Sequence, residues 1–146
     1  MSTVEILPVP FFSDLANLAM GLRREVFVLE QGVPEDGEYD ELDPKAQHFV
    51  AIKQGNVVAT GRVIYGEEVA RISRFAVRKS ERGTGVGAQL MAFIMQHLSQ
   101  QGHDKVFLNS QQDKIGFYAK HGFAAYGEVF YECDIPHRRM TNWGTA

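Results

Sequence analysis

Hydrophobic and polar positions at the start of the chain predict a strand followed by a helix. The apolar run from Val4 to Val9 predicts a short strand. Ser13 is a candidate helix N-cap, and Asp14 places an acid in the first helical turn. Apolar residues then recur at steps of three and four, which predicts one buried face of an amphipathic helix: Leu15, Leu18, Leu22, Val26 and Leu29.

The pattern changes over residues 32–44. Glycine and proline interrupt regular structure there, and six of the nine positions from Glu35 to Asp43 are acidic. This stretch predicts a loop or a short irregular helix. The acids either belong to a solvated loop or create a local negative potential that attracts a cationic amine.

Three strand-like segments follow, at His48–Lys53, Val57–Tyr65 and Val69–Val77. Short turns separate them, which predicts an antiparallel meander.

The second half of the chain alternates helices and strands. A long helix is expected from the glycines at 83–87 to Gly102, with a buried face formed by Val86, Leu90, Phe93, Ile94 and His97. The apolar strand Lys105–Asn109 is expected to be central and parallel to a neighbour. A short helix at Asp113–His121 and strands at Phe123–Tyr126 and Val129–Ile135 follow, with Pro136 ending the last strand and Met140–Trp143 adding an edge. The fold class is α+β with a mixed sheet, in one domain spanning residues 1–146.

Composition narrows the classes of function. The 146 residues are 45% hydrophobic and 23% charged, with a net charge of -3, so no basic stripe is available for nucleic acid. A single cysteine, Cys133, allows no internal disulfide and no CxxC metal motif. No apolar run reaches membrane-spanning length. We therefore expect a cytoplasmic protein with no nucleic-acid partner, no membrane partner and no metal.

The segment Phe75–Ala88 carries the strongest chemical signal, because a strand leads into glycines and the glycines lead into a helix. Such a junction presents free N–H groups and the positive end of a helix dipole, which favour a phosphate or pyrophosphate. A Walker loop is excluded because no Gly-Lys-Ser/Thr sequence follows. A dinucleotide fingerprint is disfavoured because the glycines come after a meander, late in a short chain. A tight turn without a ligand is the remaining structural interpretation.

Two motifs carry a family resemblance. Arg82-Gly83-Thr84-Gly85-Val86-Gly87 resembles the pyrophosphate loop of the GNAT superfamily of N-acetyltransferases. Phe117-Tyr118, followed by Gly122-Phe123, is similar to the segment that closes the cofactor cleft in that superfamily. Arg23–Gln31 with Asp43, and the tail Ile135-Pro136-His137, look similar to its small ElaA/YjcF-like branch.

This resemblance implies a mostly antiparallel central sheet of six to seven strands flanked by helices, with acetyl-CoA as cosubstrate. The pantetheine arm would lie between two diverging strands, and the N–H of Val77 would polarise the thioester carbonyl. Gln111 stands where many members have Asn, and Lys114 replaces a usual Ala. The implied cofactor-binding residues are Phe75, Ala76, Val77, Arg82, Gly83, Thr84, Gly85, Val86, Gly87, Ala88, Asn109, Gln111 and Tyr118.

The resemblance also suggests catalytic roles. Tyr118 falls at the position of a general acid that protonates the leaving thiolate, although a core tyrosine is the alternative. The base is open between Glu30 and His137, and water is a third route for the proton. Candidate residues for the acceptor side are Arg23, Asp43, His48 and Arg74. Of these, Arg23 and Arg74 are candidate anchors for an anionic part of the substrate, and Arg74 is as compatible with a salt bridge to the acidic loop.

The expected activity is transfer of an acetyl group to a primary amine, of a small molecule or a protein, by direct attack in a ternary complex. A non-catalytic acyl-CoA-binding module is the main alternative, and a domain for another phosphate ligand is the third. Exposed edge strands near the C-terminus would allow a homodimer.

Overall fold

A computed structural model describes residues 3–144 of the chain. Seven strands form one sheet in the order β1-β2-β3-β4-β5-β7-β6. In chain order the strands are β1 (Val4–Val9), β2 (Gln47–Lys53), β3 (Asn56–Tyr65), β4 (Ala70–Val77), β5 (Val106–Gln111), β6 (Ala124–Glu132) and β7 (Ile135–Thr141). The helices are α1 (Asp14–Arg23), a π-helical segment (Arg24–Glu30), α2 (Glu35–Glu38), α3 (Val86–Gln100) and α4 (Ile115–Ala119). The α+β class and the predicted meander β2-β3-β4 are confirmed.

All neighbouring strands pair antiparallel except β4 and β5. These two are parallel over only three residue pairs, which are Ala70–Val106, Arg71–Phe107 and Ile72–Leu108. Both strands continue beyond the last pair without bonding to each other, β4 to Val77 and β5 to Gln111. The sheet therefore opens at its centre, as expected for β5 as a central parallel strand.

A β-bulge redirects β4 where the opening begins. Arg74 has a φ of 52°, and the register of β3 with β4 shifts between Thr60 and Arg62. Gly61 faces this bulge, and a Cβ there would lie 3.0 Å from Ile94 Cδ1 and 3.2 Å from the Phe75 ring. Because a bulge bends its strand and increases the local twist, it turns the end of β4 away from β5.

Helices cover the two faces of the sheet. Val86, Leu90 and Ile94 of α3 are buried against one face, as predicted, whereas the predicted Phe93 and His97 are only half-buried and Leu98 is buried in addition. On the other face, α1 begins at the predicted N-cap, where Ser13 Oγ accepts from the N–H of Ala16 at 3.1 Å.

The predicted buried face of the first helix is partly wrong. Leu18 and Leu29 are 55% and 62% exposed, whereas Ala16 and Ala19 are buried. Small alanines let the helix lie close to the sheet. The π-helical segment Arg24–Glu30 then turns the helix face relative to a regular α-helix.

The C-terminal strands differ from the predicted ones. Strand β6 is one strand with a bulge around Gly127, not two strands. Cys133 and Asp134, both with positive φ, form the two-residue turn into β7, as in a type I′ hairpin. Pro136 lies inside β7 opposite Tyr131, so it does not end the strand, and Thr141 near the end of β7 pairs with β5 instead of forming an edge.

Candidate active site

The opening between β4 and β5 forms a cleft of about 660 Å³. Phe75, Ala76 and Val77 of β4 line one side, and Leu108, Asn109 and Gln111 of β5 line the other. The glycine loop closes one end, and the β6–β7 turn lies near the other. The strand residues implied as cofactor-binding, Phe75, Ala76, Val77, Asn109 and Gln111, are thus brought together with the loop.

Backbone groups of β4 face this cleft. The N–H of Arg78 donates to the carbonyl of Val58 in β3 at 2.8 Å. Successive peptide groups of a strand point to opposite sides, so the N–H groups of Val77 and Phe75 point away from β3, towards the opening. The carbonyl of Val77 also points away from β3, and it accepts a hydrogen bond from Arg82 Nε at 3.2 Å.

The glycine loop ends in free N–H groups. Gly85 caps α3 in a left-handed conformation with a φ of 90°. The first bond into the helix runs from the N–H of Gln89 to the carbonyl of Gly85 at 3.0 Å. Hence the N–H groups of Val86, Gly87 and Ala88 have no partner within the helix.

Gly87 has a packing role as well. A Cβ there would lie 3.1 Å from Val77 Cγ2 and 3.6 Å from the Phe117 ring. This glycine therefore lets the start of α3 approach β4 and α4 closely.

Thr84 and Val86, which were implied as cofactor-binding, are not among the residues that line the cleft. Thr84 Oγ1 donates to the carbonyl of Glu81 at 2.6 Å.

Cationic side chains surround the loop. Arg82, Lys114 and Lys120 line the cleft. Arg82 forms two hydrogen bonds to Glu30, at 2.6 and 2.8 Å. These bonds lower the pKa of Glu30 and raise the pKa of Arg82. Glu30 itself is not among the lining residues.

Tyr118 lies in the cleft beside aromatic neighbours. Its ring packs edge-on against Phe75 and Phe117, with centroids 6.1 and 5.0 Å away. Burial raises the pKa of Tyr118, so the phenol keeps its proton at neutral pH. A protonated phenol at this position can act as a proton donor.

His137 lies in β7 and lines the other end of the cleft. Its Nδ1 is 2.7 Å from the carbonyl of Ile135. A carbonyl only accepts, so Nδ1 carries a hydrogen and the neutral ring has a free lone pair on Nε2. Glu132 Oε2 is 3.9 Å from that Nε2. The pair can take up a proton and stabilise the resulting charge.

The other acceptor-side candidates form a buried ion network. Arg23 binds Glu38 at 2.9 Å and Asp43 at 2.8 Å, and His48 Nε2 donates to the carbonyl of Asp43 at 2.8 Å. Burial lowers the pKa of His48. Arg23, Asp43 and His48 do not line the cleft.

Arg74 does line the cleft, but it is paired with Glu38 at 3.2 Å and Asp40 at 3.3 Å. The alternative of a salt bridge to the acidic loop is therefore the arrangement present. The acidic stretch is only partly solvated, because Glu38 and Asp43 are buried.

Polar groups at the end of β5 are also engaged. Gln111 Nε2 donates to Gln31 Oε1 at 2.8 Å, which joins β5 to the end of the π-helical segment. Asn109 Oδ1 accepts from Arg139 Nε at 3.2 Å. Both amides line the cleft.

Sequence reasoning missed several lining residues, including Gln31, Arg71, Ser73 and Glu132. Their only sequence signal is alternation along the strands, which puts Arg71 and Ser73 on one face of β4. Within residues 3–144 no helix is long and apolar enough to cross a membrane. The same residues contain no group of three or more His, Cys, Asp or Glu side chains suited to a metal ion.

A strand pair that opens onto a glycine loop with free N–H groups is the arrangement expected of a GNAT fold. The family model described as an acetyltransferase (GNAT) domain matches residues 12–142. The chain therefore belongs to the GNAT acetyltransferase family, whose members use acyl-CoA. The free N–H groups, the nearby cations and the open strand edges fit such a ligand.

The relatives place the chain within this family. It is 35% identical over 123 residues to an uncharacterized N-acetyltransferase of Bacillus subtilis, YjcF, covering 84% of this chain and 88% of YjcF. The crystal structure of Escherichia coli ElaA matches with a TM-score of 0.87 at 29% identity, over 97% of this chain and all of ElaA. An acyl-CoA N-acyltransferase of Pseudomonas aeruginosa matches with a TM-score of 0.85 at 30% identity, over 97% of this chain and 100% of that one. The resemblance to small ElaA/YjcF-like proteins is confirmed.

Proposed function

We propose that this protein is an acetyl-CoA-dependent N-acetyltransferase that acts on a primary amine by direct attack in a ternary complex. The observation that carries the proposal is the cleft between β4 and β5, which runs from free N–H groups at the start of α3 to His137. One end suits a pyrophosphate and the other suits an amine that must lose a proton.

The loop and β4 would bind the cosubstrate. The N–H groups of Val86, Gly87 and Ala88 are the proposed donors to the pyrophosphate, with Arg82 and Lys114 supplying positive charge. The N–H groups of Phe75 and Val77 would donate to the pantetheine arm and to the thioester carbonyl. When bound, acetyl-CoA supplies an activated acyl group.

Tyr118 is the proposed general acid. Because burial raises the pKa of Tyr118, the phenol stays protonated across the neutral range. It can therefore donate its proton to the departing thiolate. The contacts with Phe75 and Phe117 hold the phenol ring at the wall of the cleft.

His137 is the proposed base, in preference to Glu30. The free Nε2 of His137 can accept a proton, and Glu132 at 3.9 Å would stabilise the imidazolium. Glu30 is a weaker candidate because Arg82 lowers its pKa and occupies both its oxygens.

A covalent route through Cys133 has less support. Cys133 lines the cleft but sits on the exposed turn before β7, and no described residue hydrogen-bonds to its thiol. Direct transfer to the amine does not use the Cys133 thiol, so it needs no residue that activates this thiol.

Calorimetric titration with acetyl-CoA tests the proposal, with ATP and NAD as competing ligands. Gly85→Asp would place a carboxylate beside the proposed anion site, and we expect it to weaken acetyl-CoA binding about 100-fold or more. Gly55→Asp is the matched control, because Gly55 also has a positive φ (79°) and open space around it but lies in the β2–β3 turn.

An equal loss of acetyl-CoA affinity in Gly85→Asp and Gly55→Asp would mean that backbone strain explains the weaker binding. No binding of acetyl-CoA to the wild-type protein would overturn the proposal. Binding without thiol release on any amine would instead support a non-catalytic acyl-CoA-binding module.

A further inference from the structure

Arg71 is a cation in the cleft without an acidic partner. Three arginines line the cleft, and two of them are paired: Arg74 with Glu38 and Asp40, and Arg82 with Glu30. The side chain of Arg71 makes no hydrogen bond or ion pair with any residue between 3 and 144, and its Nε is buried without an acceptor. Buried donors of folded proteins normally have a partner, so this one points to a ligand.

The position of Arg71 suits the acceptor and not the cosubstrate. Ala70 and Ile72 are buried in the cluster with α3, so the side chain of Arg71 lies on the opposite face of β4. It stands where β4 and β5 are still paired, opposite Phe107. Phe75 is four residues further along β4. At roughly 3.3 Å per residue, its Cα lies about 13 Å from that of Arg71, and the bulge shortens this distance somewhat. The glycine loop is farther still.

The charges around Arg71 leave two arginines, Arg71 and Arg139, without an ion-pair partner among the described residues. Arg62 joins the ion network of Arg23 and Arg74 through Asp40 at 2.7 Å and Asp43 at 3.0 Å. These three arginines are balanced by three acids: Glu38, Asp40 and Asp43. Arg139 stacks over the Phe107 ring at 4.6 Å and has no carboxylate within ion-pair distance among the described residues. It adds to the positive field beside Arg71.

Glu132 is the acid that most favours the charged form of Arg71, but it forms no ion pair with it. Its side chain is 49% exposed and lies 3.9 Å from His137. Burial lowers the pKa of Arg71, so a desolvated guanidinium there gains from an added anion.

We propose that the acceptor amine carries a carboxylate, which Arg71 binds while His137 faces the amine. This inference rests on the proposed function and names its substrate class: amino acids and related amino carboxylates. A guanidinium fork matches a carboxylate in two parallel hydrogen bonds. The two unpaired arginines, Arg71 and Arg139, together with Glu132 leave one net positive charge, which suits a monoanion better than a phosphate dianion.

The test compares amino acids with the amines formed by removing their carboxyl group. The pairs phenylalanine and phenethylamine, histidine and histamine, and lysine and cadaverine are assayed for thiol release at saturating acetyl-CoA. We expect the carboxylate member of at least one pair to have a kcat/KM about tenfold higher or more. Arg71→Gln should abolish that preference through KM, Arg71→Lys should keep part of it, and the decarboxylated amine should change by less than about twofold.

Arg24→Gln is the matched control, since Arg24 is an exposed arginine paired with Glu35 outside the cleft. Unchanged acetyl-CoA affinity in Arg71→Gln separates this inference from the proposed function. If Arg71→Gln lowers both members of every pair equally, or if the decarboxylated amines are preferred by the wild type, the carboxylate assignment is wrong.

A binding measurement decides the matter even if no amine turns over. Saturation-transfer NMR of the same three pairs with coenzyme A-loaded protein should give a stronger signal for the amino acid in at least one pair, and Arg71→Gln should remove the difference. Equal signals within all three pairs in the wild type would overturn the inference, whatever the assay of acetyl transfer shows.

Discussion

The hydroxyl group of Tyr118 is the group that we expect to act as the general acid. Its ring is fixed by Phe75 and Phe117, so replacing the hydroxyl leaves the packing in place. We expect Tyr118→Phe to lower kcat by about 10²-fold or less, with acetyl-CoA affinity unchanged. Because burial raises the pKa of Tyr118, the wild-type rate should not decline from loss of this proton up to pH 10. A variant with full kcat would show that Tyr118 is a core residue only.

His137 is tested through the pH dependence of the acceptor. A primary amine with a pKa of about 10 is mostly protonated at pH 7, so a base matters most there. His137→Gln should lower kcat/KM at pH 7, and the loss should shrink at pH 9.5, where more of the amine is already free. His103→Gln is the matched control, because His103 packs against Tyr65 outside the cleft. A loss that is independent of pH would favour a positioning role for His137.

Between the elements, the π-helical segment and the glycine loop are joined by the Glu30–Arg82 pair. The side chains of both residues are about one-third exposed, at 32% and 33%, so solvent screens the pair. Glu30 also competes with any anion for the guanidinium of Arg82. We therefore expect this segment to tune cosubstrate affinity and not to take part in proton transfer.

Glu30→Gln should tighten acetyl-CoA binding by about two- to fivefold, the amount expected from releasing one exposed ion pair. The value of kcat should stay within about twofold of the wild type. Calorimetry and steady-state rates measure the two effects, with Glu35→Gln as the control because its pair with Arg24 is exposed and outside the cleft. A hundredfold loss of kcat would instead make Glu30 the base.

The elements also show what a sequence can reveal. The glycine loop was predictable because Gly83 and Gly85 need a positive φ, which is a local property. The Cys133–Asp134 turn was missed because Cys133 is an unusual residue at positive φ, and Asp134 without a following glycine is a weak turn signal. The role of Glu38 and Asp43 was missed because their arginine partners are distant in sequence, so acids in a polar loop looked solvated. Nothing near Arg71 in the sequence shows that it lacks a partner.

For the molecule as a whole, the buried network ties the acidic stretch to the sheet. Asp43 joins Arg23 of α1 and Arg62 of β3 at 2.8 and 3.0 Å. Asp43→Asn would leave both guanidinium groups short of negative charge, and we expect a loss of about 3–5 kcal/mol in the free energy of unfolding. Urea unfolding at pH 7 measures this, with the exposed Asp36→Asn as control. Equal stability of the two variants would contradict the role assigned to the network.

The same network makes stability depend on pH. The arginines hold the pKa of Asp43 at about 2, below its ordinary value of 3.8. Its stabilising contribution of about 2–3 kcal/mol is thus complete above pH 4 and is lost as the pH falls towards 2. His48, whose pKa burial lowers from 6.5, causes a separate loss that begins at higher pH, because the unfolded chain takes up a proton at this histidine from about pH 6.5 downwards while the folded imidazole stays neutral. Acid titration followed by circular dichroism should show a smaller fall between pH 4 and 2 in Asp43→Asn.

Within residues 3–144, the three residue pairs between β4 and β5 are the only strand pairing between a four-stranded part of the sheet and a three-stranded part. The two parts are therefore joined in the sheet over a short length at its centre. A peptide-like arm inserted beyond Ile72 and Leu108 would bond to strand edges on both sides and act as a removable eighth strand. Binding and release of such an arm would add strand pairing to the middle of the sheet and remove it again once in every catalytic cycle.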